Sequence, residues 1–164
     1  MPASSLDEIG PVLGRIASGV FILTAGDGGG QETGMLASWV QQASFDPPQI
    51  TVAVNRARYL NEWVGEGSPV VLNIVGENEA QFLKHFGKGF EPGEEAFSDL
   101  QITRSESGGA ILGEALGYLA GTVRAQLAAG DHEVYLIEIT EAGQGPAFDS
   151  DRPMVHIRKN GLSY

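Results

Sequence analysis

The sequence contains no cysteine, and this absence removes several classes of function at once. A chain without thiols forms no disulfide, carries no thiolate nucleophile, and offers no cysteine ligand to zinc or to an iron–sulfur cluster. Basic residues are also scarce, because 10 lysines and arginines stand against 21 aspartates and glutamates and leave a formal net charge of -11. Nucleic acids and anionic membranes select basic surfaces, so we expect neither as a partner.

Long hydrophobic runs are missing as well. No stretch reaches the roughly 20 apolar residues of a membrane span, and the start MPASSLDEIG lacks the basic beginning and apolar core of a signal peptide. We therefore expect no membrane insertion and a cytoplasmic location. The 164 residues fit a single domain, 1–164, on the usual scale of roughly 100–200 residues per domain.

Glycine, in contrast, is abundant. It supplies 23 of the 164 residues, twice the usual share of about 7%, which indicates many tight turns or close approach of backbone to a ligand. The run GDGGG at 26–30 is the densest cluster. It lacks the lysine and the serine or threonine of a phosphate-binding P-loop, so a hairpin turn is favoured.

The apolar pattern predicts about six or seven strands and two or three short helices. Helical spacing and a capping box at Ser5 and Glu8 predict a first helix over 5–18, ended by Gly19, and two further short helices are predicted over 58–66 and 77–86. The predicted strands are 20–25, 32–45, 49–55, 69–75, 118–130, 132–145 and 152–164. Strands that follow one another without long helices favour an antiparallel barrel or sandwich over a Rossmann fold.

Side chains alone offer little catalytic chemistry. The histidines are His85, His132 and His156, and none has a neighbour at metal-ligand spacing, so we expect no metal site. An organic cofactor would supply the chemistry instead. The stretch MLASWVQQASFDPP (35–48) mixes small residues, hydroxyls and a tryptophan, and small residues let a flat ring lie on the backbone. The alternative is an ordinary strand with Trp39 in the core.

Several motifs in a fixed order carry a resemblance to a known family. They are GVFILT (19–24), MLASWVQQASFDPP (35–48), TVAVNR (51–56), VLNI (71–74) and GDH (130–132). Over roughly residues 10–164 the chain resembles the flavin reductase-like FMN-binding split-barrel family. The segments LKHFGKGFEPG (83–93) and VHIRKNGLSY (155–164) also resemble the C-terminal flavin reductase domain of cyanobacterial flavodiiron proteins.

The resemblance implies a mainly β fold with short helices, a six-stranded antiparallel Greek-key FMN-binding split barrel. It implies a homodimer with FMN, rather than FAD, near the subunit interface, and electrons that pass from NAD(P)H through the flavin to an acceptor. In the flavodiiron subgroup the acceptor is a di-iron site that reduces oxygen to water. Flavodoxin-like and di-iron domains of the same or a partner chain are therefore expected partners, and the chain is either an excised domain or a free-standing relative.

Site residues also follow from the resemblance. The stretch implied to line the isoalloxazine is Met35, Leu36, Ala37, Ser38, Trp39 and Val40, with Ser38 and the nearby backbone donating to the polar edge of the ring. The implied phosphate loop is Asn55, Arg56, Ala57, Arg58 and Tyr59, where Tyr59 replaces the serine or threonine that is common in the family. Arginine suits a phosphate because its fork donates two parallel hydrogen bonds.

Three further positions complete the implied site. Phe86 contacts the ring region, and His132 of the GDH turn faces the flavin and the nicotinamide, where it acts as the catalytic residue by positioning the nucleotide. The C-terminal tail, with His156, Arg158, Lys159 and Tyr164, reaches the flavin or the dimer partner. Hydride transfer needs only alignment of the reacting atoms, so loss of His132 is expected to weaken turnover rather than abolish it.

Structural alternatives stay open for most of these residues. Phe86 is equally typical of a core residue, Arg56 and Arg58 of solvated loop charges, and the GDH turn of a hairpin with a surface histidine. The whole chain has alternatives too: a flavin-binding electron relay or storage module with little NAD(P)H activity, or a flavin-free dimerisation barrel. A haem-binding relative is a further option, although no axial ligand stands out. The sequence does not distinguish NADH from NADPH.

Overall fold

The computed structural model describes residues 3–163 and is mainly β. Its helical segments are α1 (Leu6–Leu13), α2 (Gln81–Phe86) and a single 3₁₀ turn at Tyr59–Glu62. The strands are β1 (Ser18–Gly19), β2 (Phe21–Gly26), β3 (Glu32–Ala37), β4 (Val40–Ser44), β5 (Gln49–Asn55), β6 (Pro69–Ile74), β7 (Ile102–Arg104), β8 (Ala110–Leu112), β9 (Gly117–Ala129), β10 (His132–Gln144) and β11 (Val155–His156). No described helix has the length and apolar character needed to cross a membrane.

Seven of these strands form one antiparallel sheet in the order β3-β2-β6-β9-β10-β5-β4. Its two edge strands, β3 and β4, are consecutive in the chain and separated only by Ser38 and Trp39, so the sheet closes into a barrel. The backbone N–H of Ala53 donates to the Trp39 carbonyl at 3.0 Å and continues the β4–β5 ladder across the bend. β3 and β4 are thus two halves of the single strand predicted over 32–45, and counting them together gives six barrel strands.

Alternation of side chains gives the barrel its two apolar faces. Every second residue of β5, namely Ile50, Val52 and Val54, points into the barrel interior and packs with Tyr135 and Ile137 of β10. Ile22 of β2 and Val75, which follows β6, pack with α2 in a second cluster, which is built around Ile22, Val75, Phe82, Phe86 and Phe97. Buried apolar side chains therefore fill both the barrel interior and the α2 side. The outer face of β5 and β10 belongs to neither cluster and is available to line a binding site.

The first helix is shorter than predicted. α1 ends at Leu13 rather than 18, and Gly14 rather than Gly19 follows its last turn, because the next residues are committed elsewhere. Ser18 pairs with His156 as part of a β1–β11 ladder, which a continuing helix would prevent. The capping box at Ser5 and Glu8 is confirmed: the Glu8 carboxylate accepts the Ser5 backbone N–H at 2.8 Å.

Two further predictions differ from the structure in extent. α2 begins at Gln81 rather than 77, because Asn78 is held outside the helix by the Asp151 carboxylate, which accepts its side-chain N–H at 2.9 Å. The final strand predicted over 152–164 shrinks to β11, and Tyr164 lies outside the described residues. The GDGGG run is the predicted hairpin turn, in which the Asp27 carboxylate accepts the Gly29 and Gln31 N–H groups at 2.7 and 2.9 Å.

Candidate functional site

A cleft of about 680 Å³ lies on the outer face of the barrel, where the bent β3–β4 strand meets α1 and the C-terminal segment. Its lining residues are Leu13, Ile16, Ala17, Ser18, Gly19, Ser38, Trp39, Val40, Gln41, Thr51, Ala53, Val134, Val155, Arg158 and Gly161. Among these residues Arg158 alone carries a charge. A roomy, mostly neutral cleft beside a tryptophan suits a flat aromatic ring better than a strongly charged ligand.

The bend at Ser38 and Trp39 brings part of the predicted ring-lining stretch to this cleft. Ser38, Trp39 and Val40 line it, and their contact with an isoalloxazine ring stays a prediction. Met35 and Ala37 instead pack inside the barrel core, and Leu36 packs against the α2-side cluster. The alternation of a strand explains this division, because successive side chains point to opposite faces until the bend interrupts the pattern.

Trp39 is the centre of a small aromatic and charged group. The His132 ring lies with its centroid 4.5 Å from that of Trp39, tilted by 34°. The Arg158 guanidinium carbon lies 5.0 Å from the Trp39 ring centroid, within cation–π range. His132 is 5% exposed, and its Nδ1 lies 2.6 Å from the Asp131 carboxylate. The GDH turn therefore places His132 against Trp39 rather than out in solvent, which contradicts the surface-histidine alternative.

Asp131 joins this group through its hydrogen bond with the His132 ring. Its hydrogen bond with His132, with a smaller contribution from the charge of Arg56, lowers the pKa of the Asp131 carboxyl below its usual value. The carboxylate therefore stays ionised at neutral pH, and an ionised carboxylate fixes the orientation of a histidine ring. The arrangement suits a positioning role for His132.

The predicted phosphate loop is a tight turn at the end of β5. The Asn55 side-chain oxygen accepts the Ala57 N–H at 2.9 Å, which is a typical Asx turn, and the Arg58 N–H donates to the Asn55 carbonyl at 3.0 Å. The Arg56 guanidinium pairs with Glu133 at 3.3 Å, and the Arg58 guanidinium donates to the Lys88 carbonyl at 3.5 Å. Both arginines therefore keep most of their N–H groups for another acceptor.

Strand pairing connects this turn to the cleft. Asn55 pairs with His132 across the β5–β10 ladder, and the next pair on the same face, Ala53 and Val134, lines the cleft. Two residues along a strand span about 6.6 Å. The Asn55–Tyr59 turn therefore begins one residue pair beyond the wall of the cleft.

The remaining predicted residues lie apart from the cleft or at its edge. Tyr59 is half-buried and packs edge-on against Trp63, with ring centroids 5.1 Å apart. Phe86 is 0% exposed in the α2-side cluster, which favours a packing role, and its predicted ring contact stays a prediction. His156 and Lys159 are exposed on the C-terminal segment. In the described part of the chain, no three histidine, aspartate or glutamate side chains gather where they could hold a metal ion.

The comparisons with known proteins decide the family. A family model described as a flavin reductase like domain matches residues 13–161. The chain belongs to this family. Diflavin flavoprotein A 1 of Synechocystis is 38% identical over 162 residues, and the match covers 98% of this chain but only 28% of that protein. The chain thus spans little more than a quarter of the length of the curated relatives it matches.

Solved structures share the fold of this flavin reductase-like domain. The NADH:FAD oxidoreductase of Streptomyces globisporus superposes with a TM-score of 0.81 at 21% identity, covering 95% of this chain and 93% of the other. The flavin reductase of the styrene monooxygenase from Pseudomonas putida S12 gives a TM-score of 0.73 at 19% identity, covering 90% and 91%. At this identity the likeness shows the fold alone, and it confirms the mainly β, antiparallel barrel with short helices.

Several residues of this flavin reductase-like domain that shape the cleft were missed by sequence reasoning. Thr51, Ala53 and Val134 form part of its wall, and Glu133 pairs with Arg56. The strands that carry these residues were predicted. The alternation of side chains along β5, which turns Thr51 and Ala53 away from the core, was the signal that could have identified them. The pairing of β5 with β10 joins residues about 80 positions apart, and local patterns carry no information about such pairing.

Backbone hydrogen bonds to Gly10 and Gly14 hold the C-terminal segment against α1 in this flavin reductase-like domain. The Arg158 N–H donates to the Gly14 carbonyl at 3.0 Å, and the Gly161 N–H donates to the Gly10 carbonyl at 2.7 Å. A Cβ atom at Gly14 would lie 2.5 Å from the Arg158 carbonyl oxygen, which is closer than real contacts allow. The absence of a side chain at Gly14 therefore keeps Arg158 near Trp39.

Replacing Gly14 with alanine is expected to displace this segment. The backbone φ of -61° suits alanine, so the effect comes from the contact alone, and overpacking of this kind costs roughly 1–3 kcal/mol of unfolding free energy. Urea unfolding and tryptophan emission measure the loss of stability and the change around Trp39. Gly65→Ala is the matched control, because its Cβ would meet only the Gln126 side chain at 3.7 Å. Equal stability and emission for both variants would contradict this account.

Proposed function

We propose that this flavin reductase-like domain binds FMN in the cleft, takes electrons from NAD(P)H and passes them to an acceptor. The observation that supports the proposal is the position of a mostly neutral cleft beside a turn that carries two arginines. Ser38, Trp39 and Val40 wall the cleft, and Asn55, which begins the turn with Arg56 and Arg58, pairs with His132 next to Trp39. FMN has the same division, with a flat, largely neutral ring at one end and a phosphate at the other.

Each residue group has a distinct task in this proposal. The Trp39 region packs against the ring, and the Ser38 hydroxyl and nearby backbone N–H groups donate to its polar edge, where negative charge gathers on reduction. Arg56 and Arg58 hold the phosphate through charge-assisted hydrogen bonds. When bound, FMN supplies the hydride-accepting ring and the outlet for electrons. His132, oriented by Asp131, positions the nicotinamide, and the cleft walls keep water away from the reacting face.

The assembly that we propose is a homodimer. Apolar side chains stand exposed around the cleft, in the segment just after α1, on the outer face of β9 and on the C-terminal segment, and they include Ile16, Leu127, Val155 and Ile157. Ile16 is 65% exposed and Leu127 is 67% exposed. A second copy that covers this surface would also close the open side of the cleft over the flavin. Light scattering of the purified chain tests this, and a monomer at micromolar concentration would contradict it.

The electron acceptor that we propose is the flavodiiron machinery. The supporting observation is that the match covers about 28% of Diflavin flavoprotein A 1, so most of that relative lies outside the part that this chain matches. We propose that electrons leave through flavodoxin-like and di-iron domains, in the same or a partner chain, which reduce oxygen to water.

Anaerobic mixing tests the proposed activity. The FMN-loaded chain is mixed with NADH or NADPH, and the visible flavin absorbance is followed. Rapid bleaching by at least one nucleotide is the expected result. A flavin that binds but stays yellow with both nucleotides would contradict the reductase and favour an electron relay or storage module. A chain that retains no flavin and does not reduce added FMN would favour the flavin-free dimerisation barrel.

A further inference from the structure

A buried polar contact lies directly beneath the Asn55–Tyr59 turn. Tyr135 of β10 points into the barrel core and is 2% exposed, yet its phenol O–H donates to the Asn61 side-chain oxygen at 2.7 Å. Burial, and then the nearby charge of Glu133, raise the pKa of the Tyr135 phenol. The phenol therefore stays protonated, and remains a hydrogen-bond donor, throughout the neutral range. Neither Tyr135 nor Asn61 lines the cleft.

The Asn61 side chain uses all of its principal hydrogen-bonding groups. Its amide nitrogen donates to the Asn55 carbonyl and to the Arg58 carbonyl, both at 2.8 Å, while its oxygen accepts from Tyr135. An amide has two N–H donors on one side and a carbonyl on the other, so these three partners fix the orientation of the group. Rotation of the amide would break all three contacts at once.

These contacts fix the backbone that carries the two arginines. The Asn55 and Arg58 carbonyls bracket the turn, so holding both of them on one amide sets the distance across it. The Arg56 N–H is also fixed, since it donates to the Asp131 carbonyl at 2.9 Å. The guanidinium groups therefore start from a rigid backbone. A rigid binding loop loses less conformational entropy when it captures its ligand.

We propose that Asn61 and Tyr135 are positioning residues that hold the Asn55–Tyr59 turn ready for the phosphomonoester of FMN. The proposal rests on the proposed function, because it assigns the phosphate to Arg56 and Arg58. Neither residue touches the ligand. Tyr135 acts through Asn61, and Asn61 acts through the two backbone carbonyls of the turn.

Replacement of Tyr135 with phenylalanine tests the proposal, with FMN and riboflavin as the two probes. The variant keeps the aromatic packing and leaves the Asn61 oxygen without its donor. We expect the dissociation constant for FMN to rise by about three- to ten-fold, the scale of one lost buried hydrogen bond, while that for riboflavin stays unchanged. Riboflavin has the same ring and no phosphate. A purely structural role would change both affinities together.

Tyr118→Phe is the matched control. The phenol O–H of Tyr118 donates to the Glu141 carboxylate at 2.9 Å. Tyr118 and Tyr135 lie on the same pair of strands, β9 and β10, but toward opposite ends of that pair. We expect this variant to bind FMN and riboflavin as the parent chain does. A Tyr135→Phe variant that binds FMN normally, or that loses both flavins equally, would overturn the proposal.

A second readout needs no flavin. Amide hydrogen exchange of the flavin-free chain reports the opening of the turn, and we expect the Arg58 N–H to exchange faster in Tyr135→Phe than in Tyr118→Phe. Equal exchange rates would overturn the positioning role. If the parent chain binds neither flavin, or binds both equally, the phosphate assignment fails, and the positioning of the turn is still decided by the exchange rates.

Discussion

FMN affinity is expected to fall by about 100-fold when Arg56 and Arg58 are both replaced by glutamine. Each charge-assisted hydrogen bond to a phosphate contributes about 1.5 kcal/mol or more, and two such losses give roughly this factor. Riboflavin should bind the variant as well as it binds the parent chain, because it has no phosphate. Fluorescence titration with each flavin measures the two dissociation constants.

The folded state should tolerate this double change. The Arg56–Glu133 pair is partly exposed, and such pairs contribute about 0–1 kcal/mol, so the unfolding free energy should change little. Arg15→Gln with Arg152→Gln is the matched control, since it removes the same charge from two exposed positions away from the turn. Equal loss of FMN affinity in both double variants would mean that net charge, rather than a phosphate site, governs binding.

Truncation of Phe86 to alanine is expected to lower the unfolding free energy by about 3–5 kcal/mol. The side chain is completely buried, and it packs with Phe82, Phe97 and the backbone at Gly34, where a Cβ would lie 2.8 Å from its ring. Phe86→Leu should keep most of this packing and cost about 1 kcal/mol. Chemical denaturation measures both values.

Flavin binding separates this packing role from the ring contact implied by the family resemblance. Phe86→Leu should bind FMN with the affinity of the parent chain. A variant of nearly normal stability that binds flavin several-fold more weakly would instead place Phe86 at the ring. Phe45→Ala is the control for general loss of aromatic surface, because Phe45 is 90% exposed on the β4–β5 turn and should change neither property.

Local pattern predicted β5 well because its side chains alternate between the buried barrel interior and a half-exposed face. β2 and β6 are buried on both faces, and their continuous apolar runs were the signal that predicted them. β5 was predicted at its observed bounds, and β9 and β10 were predicted to within one residue at each end. The helices were predicted too long for a tertiary reason. A distant segment holds residues 77 and 78 outside the helix, because the Arg152 carbonyl accepts the Glu77 N–H at 2.8 Å and the Asp151 carboxylate accepts the Asn78 N–H at 3.2 Å.

The candidate site shows the same contrast between local features, which were predicted, and features set by distant contacts, which were missed. The family resemblance pointed to the Asn55–Tyr59 loop and the GDH turn, and both are turns in the structure, while their roles toward a ligand stay predictions. The division of residues 35–40 between core and cleft was missed, because the bend at Ser38 is set by the pairing of β3 with β2 and of β4 with β5. The support of the turn by Tyr135 was missed as well, because it joins residues 74 positions apart.

A crystal structure of this chain with FMN would show whether the cleft beside Trp39 is the flavin site. We expect density for the ring in the cleft against Ser38, Trp39 and Val40, and density for the phosphate between the Arg56 and Arg58 guanidinium groups. The density should come from FMN added in solution at concentrations near its dissociation constant. A flavin bound elsewhere on the barrel, or a phosphate that points away from both arginines, would contradict it.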